Sequence, residues 1–440
     1  MSYRTSLTKL FDLQKYGVKV GLATTLSLLA ALGDPHKGAF VHLAGTNGKG
    51  STAVNLEAIL MAGGYKTGLY TSPHLVTFRE RIRVNGVMIT EEETLDLFNR
   101  VWSVIDEERP PTYFEFVTAM AFLYFQDQKP DVIILEAGLG GRLDSTNVVS
   151  PILTAITNIS LEHTEFLGDT LEAIAAEKAG IIKPQIPLVG GRIEEPALGV
   201  IKKKLAELKA PGYFYNQDYK FVPQAKNPSF FDYEGPNLKV TNLKPSLLGP
   251  YQVENAAQAV ALAELLTLRG FPLEPSAIRE GLSRAQWPGR AQRMEPGSWP
   301  PDGSSKAPLV LDGAHNPGGA QAFSSYLAAL GAQKIHLIAG VMADKDVAGV
   351  LSPLIALADR LYLTRPEYAR AADPQALLDR LTAALGPIAQ PHDLYPSLPL
   401  ALAAAAKNAA ASDLVVVSGS LFTVGETLAY LTGQPVVEPN

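Results

Sequence analysis

The segment Gly45-Thr46-Asn47-Gly48-Lys49-Gly50-Ser51-Thr52 carries the most chemistry per residue. It follows the apolar run 39–44 (AFVHLA) and opens a helical pattern with Ala53, Leu56 and Leu60 on one face. A glycine-rich turn at a helix N-terminus aims backbone N–H groups at phosphate, and Lys49 adds a positive charge beside them. The match to the common phosphate-loop pattern is imperfect. Counting back from Gly48-Lys49 places Leu43 where that pattern has its first glycine, and Gly50 after the lysine moves the hydroxyl to Ser51. A structural glycine turn leaves the same trace.

Three other segments offer reactive groups. The apolar run 131–136 ends in Glu136, and in a parallel α/β sheet the carboxyl end of a strand faces the ligand crevice, where an acid can hold magnesium. An acid capping a turn is the plain alternative. The segment 156–183 passes from a strand through a loop with Glu162 and His163 into a helix ending at Lys178 and Gly180. Taken alone, such a histidine is more often structural than a ligand, and the helix dipole is enough to explain that lysine. The run 311–319 (LDGAHNPGG) sets Asp312 and His315 at the end of a further strand. Strand ends of this kind in two domains suggest a nucleotide held across a cleft.

These groups need a scaffold. Short apolar runs (AFVHLA, TGLYT, DVIILEAG, ILTAITN, IPLVGG) alternate with helical patterns, including 51–61 and 253–269, which predicts an α/β fold with a doubly wound, mostly parallel sheet. Between 213 and 250 the alternating aromatic and polar runs predict a small antiparallel patch. Pro, Gly and Ser crowd 295–308 (EPGSWPPDGSSKAP), so the expected organisation is a first domain over 1–294, a linker over 295–308 and a second, smaller α/β domain over 309–440.

Composition narrows the function classes. Lys and Arg total 38 against 44 Asp and Glu, a net charge of −6, so no basic excess points to nucleic acid or an acidic membrane. The absence of cysteine excludes thiolate nucleophiles and Cys-ligated metal, leaving oxygen and imidazole ligands. The apolar run 21–33 is too short to span a bilayer, and a cytoplasmic monomer working on small molecules is expected.

Taken in order, HLAGTNGKGST, YTSPHLVTFRERIRVNG, YFEFVT, LEAGLGGRLDSTNV, LEHTEFLG, EKAGIIKP, YQVENA, WPGRAQ and DGAHNPGG resemble the dihydrofolate synthase/folylpolyglutamate synthase family of the Mur ligase superfamily. The weaker GVMADKD and VVSGS extend the likeness towards the end of the chain. The resemblance implies ATP-driven amide synthesis: a carboxylate is phosphorylated to an acyl phosphate, which the amino group of L-glutamate attacks. It implies nucleotide contacts at Asn47, Gly48, Lys49, Gly50, Ser51, Thr52, Asn255, Arg290, Asp312 and His315. Magnesium, at two sites, would be held by Ser72, Glu136, His163 and Lys178, the last as a CO2-derived carbamate, with Lys49, His163 and Lys178 catalytic. Dihydropteroate would meet Thr112, Phe114, Leu143, Asp144 and Ser145, with Val18-Lys19-Val20 as a further wall. The carboxylate of Asp144 suits an aminopyrimidine edge, which can donate two parallel hydrogen bonds. A bifunctional enzyme is the preferred expectation. A cell-wall Mur ligase is set against it by the roughly forty residues ahead of the phosphate loop, too few for a UDP-binding domain. A non-catalytic nucleotide switch is set against it by the second metal apparatus at His163 and Lys178.

Overall fold

Strand alternation decides how the first half of the chain packs. In the computed structural model, which describes residues 2–17, 21–224 and 227–434, this half forms a sheet of β1 (Phe40–Ala44), β2 (Thr67–Tyr70), β3 (Ile82–Val84), β4 (Val87–Met88), β5 (Val132–Glu136), β6 (Leu153–Ile156), β7 (Leu188–Gly190) and β8 (Gly212–Phe214). The spatial order is β4-β3-β2-β5-β1-β6-β7-β8. Six strands are parallel, with β3 antiparallel to β2 and β4 to β3 at the edge. Successive side chains of β1 go to opposite faces. Val41 and Leu43 join Leu56, Ile59 and Val260 from the Lys49–Ala62 and Pro250–Thr267 helices, while Phe40 joins Phe122 of the Tyr113–Gln128 helix. Each such buried Val, Leu or Phe contributes roughly 1.5–3 kcal/mol, so the strand is anchored from both sides.

The antiparallel patch is smaller than expected. Tyr213 and Phe214 belong to β8, parallel to β7, and only β9 (Lys220–Gln224), β10 (Asn227–Glu234) and β11 (Lys239–Leu243) form the separate antiparallel sheet. It lies against the Pro250–Thr267 helix, where the Tyr233 hydroxyl donates to Glu264 at 2.7 Å. That helix begins at Pro250, ahead of the expected 253, because a proline lacking an N–H fits the first turn.

The second sheet contains β12 (Gln292–Met294), β13 (Leu309–Leu311), β14 (Ile335–Ala339), β15 (Arg360–Leu363), β16 (His392–Leu394) and β17 (Leu414–Ser418), in the order β12-β13-β17-β14-β15-β16. All are parallel except β12, which runs antiparallel to β13. The proline-rich segment 295–308 therefore joins two paired strands of one sheet, and the chain enters this sheet ahead of residue 294. Within the segment Trp299 is fully buried, its indole N–H donating to the Ala307 carbonyl at 2.9 Å. No helix among the described residues is long and apolar enough to cross a membrane, and the run 21–33 contains the nine-residue helix Ala23–Ala31.

Candidate active site

The phosphate loop leaves β1 and enters the Lys49–Ala62 helix through three glycines that the packing requires. Gly45 has φ +146° and Gly48 φ +86°. A Cβ would meet the Thr157 hydroxyl at 1.9 Å and the Asn255 side chain at 2.3 Å, respectively. At Gly50 it would come within 2.8 Å of the Trp287 ring. Lys49 folds back over the loop, its Nζ donating to the Gly45 and Thr46 carbonyls at 2.9 and 3.2 Å and lying 4.0 Å from the Glu136 carboxylate. Asn158 pins the loop from β6's end: its side chain accepts from the Asn47 N–H at 3.0 Å and donates to the Asn47 carbonyl at 2.9 Å.

Glu136 closes β5 as expected, buried, with Oε2 accepting from the Ser72 N–H at 3.1 Å. Burial pushes its carboxyl up, against the pull of Lys49, the Ser72 N–H and Arg290. Lys178 sits in the last turn of the Leu171–Ala179 helix, but its side chain is buried and donates to the Gly45 carbonyl at 2.9 Å. Burial, helped by the Lys49 charge, lowers its ammonium to about 7. His163 has φ +50°, a left-handed conformation that costs a non-glycine residue of order 1 kcal/mol and is concentrated at functional sites.

Sequence reasoning noticed Glu162 and gave it no role. Its Oε1 lies 3.6 Å from His163 Nε2 and 3.4 Å from His315 Nε2, and accepts from the Asn316 amide at 3.2 Å. Burial opposes ionisation, yet the His315 hydrogen bond and the charges of Lys49, His315 and His163 hold this carboxyl well below the usual range.

The far wall comes from the second sheet. Asp312 leaves β13 and accepts from the Tyr251 hydroxyl at 3.0 Å and from the N–H groups of Ala291 and Ala314 at 2.8 and 2.9 Å. Arg290 lies beside it, counteracting the upward push of burial on its carboxyl. Asn316 caps the Pro317–Ala329 helix and exchanges two hydrogen bonds with Asn47, at 2.9 and 3.3 Å, tying that helix to the phosphate loop. A cavity of about 390 Å³ is thus lined by Asn47, Gly48, Lys49, Gly50, Ser51, Ser72, Glu136, His163, Lys178, Asn255, Arg290, Asp312 and His315. Thr52 is fully buried and is not among the lining residues.

A larger cavity, about 600 Å³, adjoins the first and contains Thr112, Phe114, Leu143, Asp144 and Ser145 in its wall. Val18-Lys19-Val20 lies outside the described residues. Thr112 caps the Tyr113–Gln128 helix in a capping box with Glu115, and the Phe114 ring leaves no room for a side chain at Gly138. Asp144 lines this cavity and also braces its own loop. One oxygen accepts from the Gly138 and Leu139 N–H groups, both at 2.9 Å, and the other from the N–H and hydroxyl of Thr146. Both oxygens are committed to the loop itself. Sequence motifs also missed Arg81, Lys345 and Arg370, which bring positive charge to the wall.

The smaller cavity adjoins the larger one between the two α/β sheets, an arrangement that suits a nucleotide beside a second substrate. The Mur ligase middle domain matches residues 43–263, and the Mur ligase glutamate ligase domain matches 293–421. Folylpolyglutamate synthase of Lacticaseibacillus casei is 35% identical over 93% of this chain and 94% of its own length. The structure of E. coli FolC in complex with DHPP and ADP aligns with TM-score 0.87 and 32% identity, covering 98% of both chains. A bifunctional folylpolyglutamate synthase/dihydrofolate synthase from Yersinia pestis, complexed with AMPPNP and Mn, aligns with TM-score 0.86 and 34% identity, again over 98% of both. The chain belongs to the dihydrofolate synthase/folylpolyglutamate synthase family of Mur ligases.

Proposed function

We propose that the protein is an ATP-dependent ligase that adds L-glutamate to dihydropteroate and to the glutamate chain of folates. The observation that carries this reading is the junction of the two cavities, which share Ser72, His163 and His315. A nucleotide in one and a carboxylate-bearing pterin in the other would present the γ-phosphate to the acceptor. The carboxylate oxygen attacks phosphorus, the bond to ADP breaks, and an acyl phosphate forms. The glutamate nitrogen then attacks the acyl carbon, phosphate leaves, and the nitrogen gives up its proton.

Transfer between anions needs charge neutralisation, which the phosphate-loop N–H groups and Lys49 provide. Asn255, Arg290, Asp312 and His315 are read as nucleotide contacts from both sides of the cleft, and Thr112, Phe114, Leu143 and Ser145 as pterin contacts. Ser72, Glu136 and His163 form an oxygen and imidazole donor set suited to magnesium. Magnesium there would offset phosphate charge during transfer. Lys178 fits carbamylation: its lowered basicity leaves the amine lone pair free to react with CO2, and the anion produced can hold a metal that an ammonium would repel.

The chain is read as a cytoplasmic monomer of two domains, with the change-over placed ahead of β12 because Gln292–Met294 hydrogen-bonds into the second sheet. The test is ADP release with glutamate and, separately, dihydropteroate or tetrahydrofolate. Release that needs glutamate and either acceptor supports the reading. Release that ignores both would return the protein to a nucleotide switch.

A further inference from the structure

His42 occupies the middle of β1, in register with Leu135 of β5 and Thr154 of β6, and is fully buried. It lines neither cavity of the site, and no step of the ligase reading uses it. The other residues of this strand, Phe40, Val41, Leu43 and Ala44, are all apolar. A buried imidazole among them is costly unless its nitrogens find partners. One does. Nε2 lies 2.8 Å from the hydroxyl oxygen of Thr146, in the Ser145–Val148 turn, and that hydroxyl also bonds Oδ1 of Asp144. Nδ1 is buried without a hydrogen-bond partner among the described residues.

Counting protons gives this chain a direction. Asp144 meets four donors, the N–H groups of Gly138, Leu139 and Thr146 and the Thr146 hydroxyl, so its carboxylate acts as acceptor. The single hydroxyl proton of Thr146 then points at Asp144, and the hydroxyl oxygen accepts from His42 Nε2–H. Nδ1 is left as a bare acceptor. Burial pushes the Asp144 carboxyl up against those four donors. A proton there would reverse the chain and strand an unpaired Nδ1–H, and orphaned buried N–H groups are rarer than under-satisfied acceptors. Burial, helped by the Lys183 charge, lowers the His42 imidazolium to about 3, so the ring is a neutral donor.

The two oxygens of Asp144 serve different walls. Oδ2 holds Gly138 and Leu139, which line both cavities. Oδ1 holds Thr146, next in chain to Leu143, Asp144 and Ser145, which line the larger cavity and not the smaller. His42 is tied to this second end.

We propose that His42 is a positioning residue for the acceptor: its Nε2–H, relayed by the Thr146 hydroxyl, sets Asp144 and with it the 143–145 wall of the larger cavity. The inference rests on the ligase reading and adds a residue to its acceptor side. The test is steady-state ADP release by the full chain with dihydropteroate and tetrahydrofolate, beside nitrogen-15 spectra of its histidines. His42→Leu should raise the acceptor KM about tenfold, the scale of one lost hydrogen bond, and move the ATP KM by less than about twofold. His42→Gln, whose amide can donate from a similar position, should recover the acceptor KM to within about threefold of wild type. Thr146→Val, which breaks the relay and serves if His42→Leu folds poorly, should match the loss, and His42→Leu added to it should cost less than about twofold more. The spectra should show a neutral ring protonated on Nε2, identified by its loss in His42→Gln. The proposal is overturned if the acceptor and ATP KM values rise equally in the folded variants, if glutamine recovers nothing, if the two losses simply add, or if the proton sits on Nδ1. A wild type that releases ADP without regard to acceptor would instead sink the ligase reading, and the spectra would still report the relay.

Discussion

The two cavities that meet at Ser72, His163 and His315 are built on different principles. In the smaller cavity one wall, the phosphate loop, is tightly braced: Gly45, Gly48 and Gly50 admit neighbours that no side chain would tolerate, and Lys49, Lys178 and Asn158 all bond to loop carbonyls. The larger cavity is assembled from distant pieces, Thr112 and Phe114 at a helix start, the 138–145 loop, and Lys345, Arg370 and Phe422 from the second sheet. A self-braced loop presents fixed donors to any nucleotide, whereas a composite wall can vary its specificity with the relative placement of its parts.

The strongest way to break this contrast is to remove the charge from the self-braced side. Lys49→Ala should lower glutamate-dependent ADP release by about 10²- to 10³-fold, the scale seen when a preorganised charge is withdrawn from a transition state. Thermal melting should move little, because the fold does not depend on this partly exposed ammonium; near-normal turnover would remove the phosphate-loop assignment.

Lys178 sharpens the same side. Lys178→Ala should cost about 100-fold in turnover, with partial recovery when a small carboxylic acid is supplied, and Lys178→Arg should remain poor because it restores only a cation. A fully active arginine variant would end the carbamate assignment.

Asp144 tests the composite side, and here the hydrogen-bond pattern sets a bracing role beside the pterin contact expected from the sequence. Four donors converge on this carboxylate, so Asp144→Ala should leave buried N–H groups unpaired and lower stability by about 1–3 kcal/mol. The KM values for ATP and pterin should rise together. An unchanged denaturation midpoint with a rise in pterin KM alone would mean that the carboxylate faces the substrate after all.

The smallest effect belongs to the tie between the sheets. Asn316→Ala removes two bonds to Asn47, one to Glu162 and a helix cap, and should reduce kcat/KM by about fivefold to tenfold, with most of the loss in kcat if closure sets the rate. Steady-state kinetics at fixed glutamate would resolve this.

What could be read in advance follows from how local each feature is. β1, β2, β5, β6 and β7, which carry Glu136 and the phosphate loop, lie in short apolar runs, and the loop's glycines declare themselves within eight residues. Ile82–Val84 and Val87–Met88, short and interrupted by Arg83 and a turn, gave no such pattern. Tyr213 and Phe214 looked antiparallel by composition, yet pairing with β7 is decided by packing beyond the segment. Glu162 stayed without a role because two of its partners, His315 and Asn316, lie about 150 positions away. The loop-bracing bonds of Asp144 were invisible for a different reason: the sequence does not show which donors reach a carboxylate, and only the coordinates reveal four of them.

The central claim is that this cleft activates a carboxylate by phosphorylation before glutamate attacks. Dihydropteroate labelled with oxygen-18 in its carboxylate, incubated with ATP, magnesium and L-glutamate, tests it most directly. An acyl phosphate hands one carboxylate oxygen to the departing phosphate, so the account predicts oxygen-18 in the inorganic phosphate in step with the amide formed. Amide formation with unlabelled phosphate, or ADP release without amide, would contradict it.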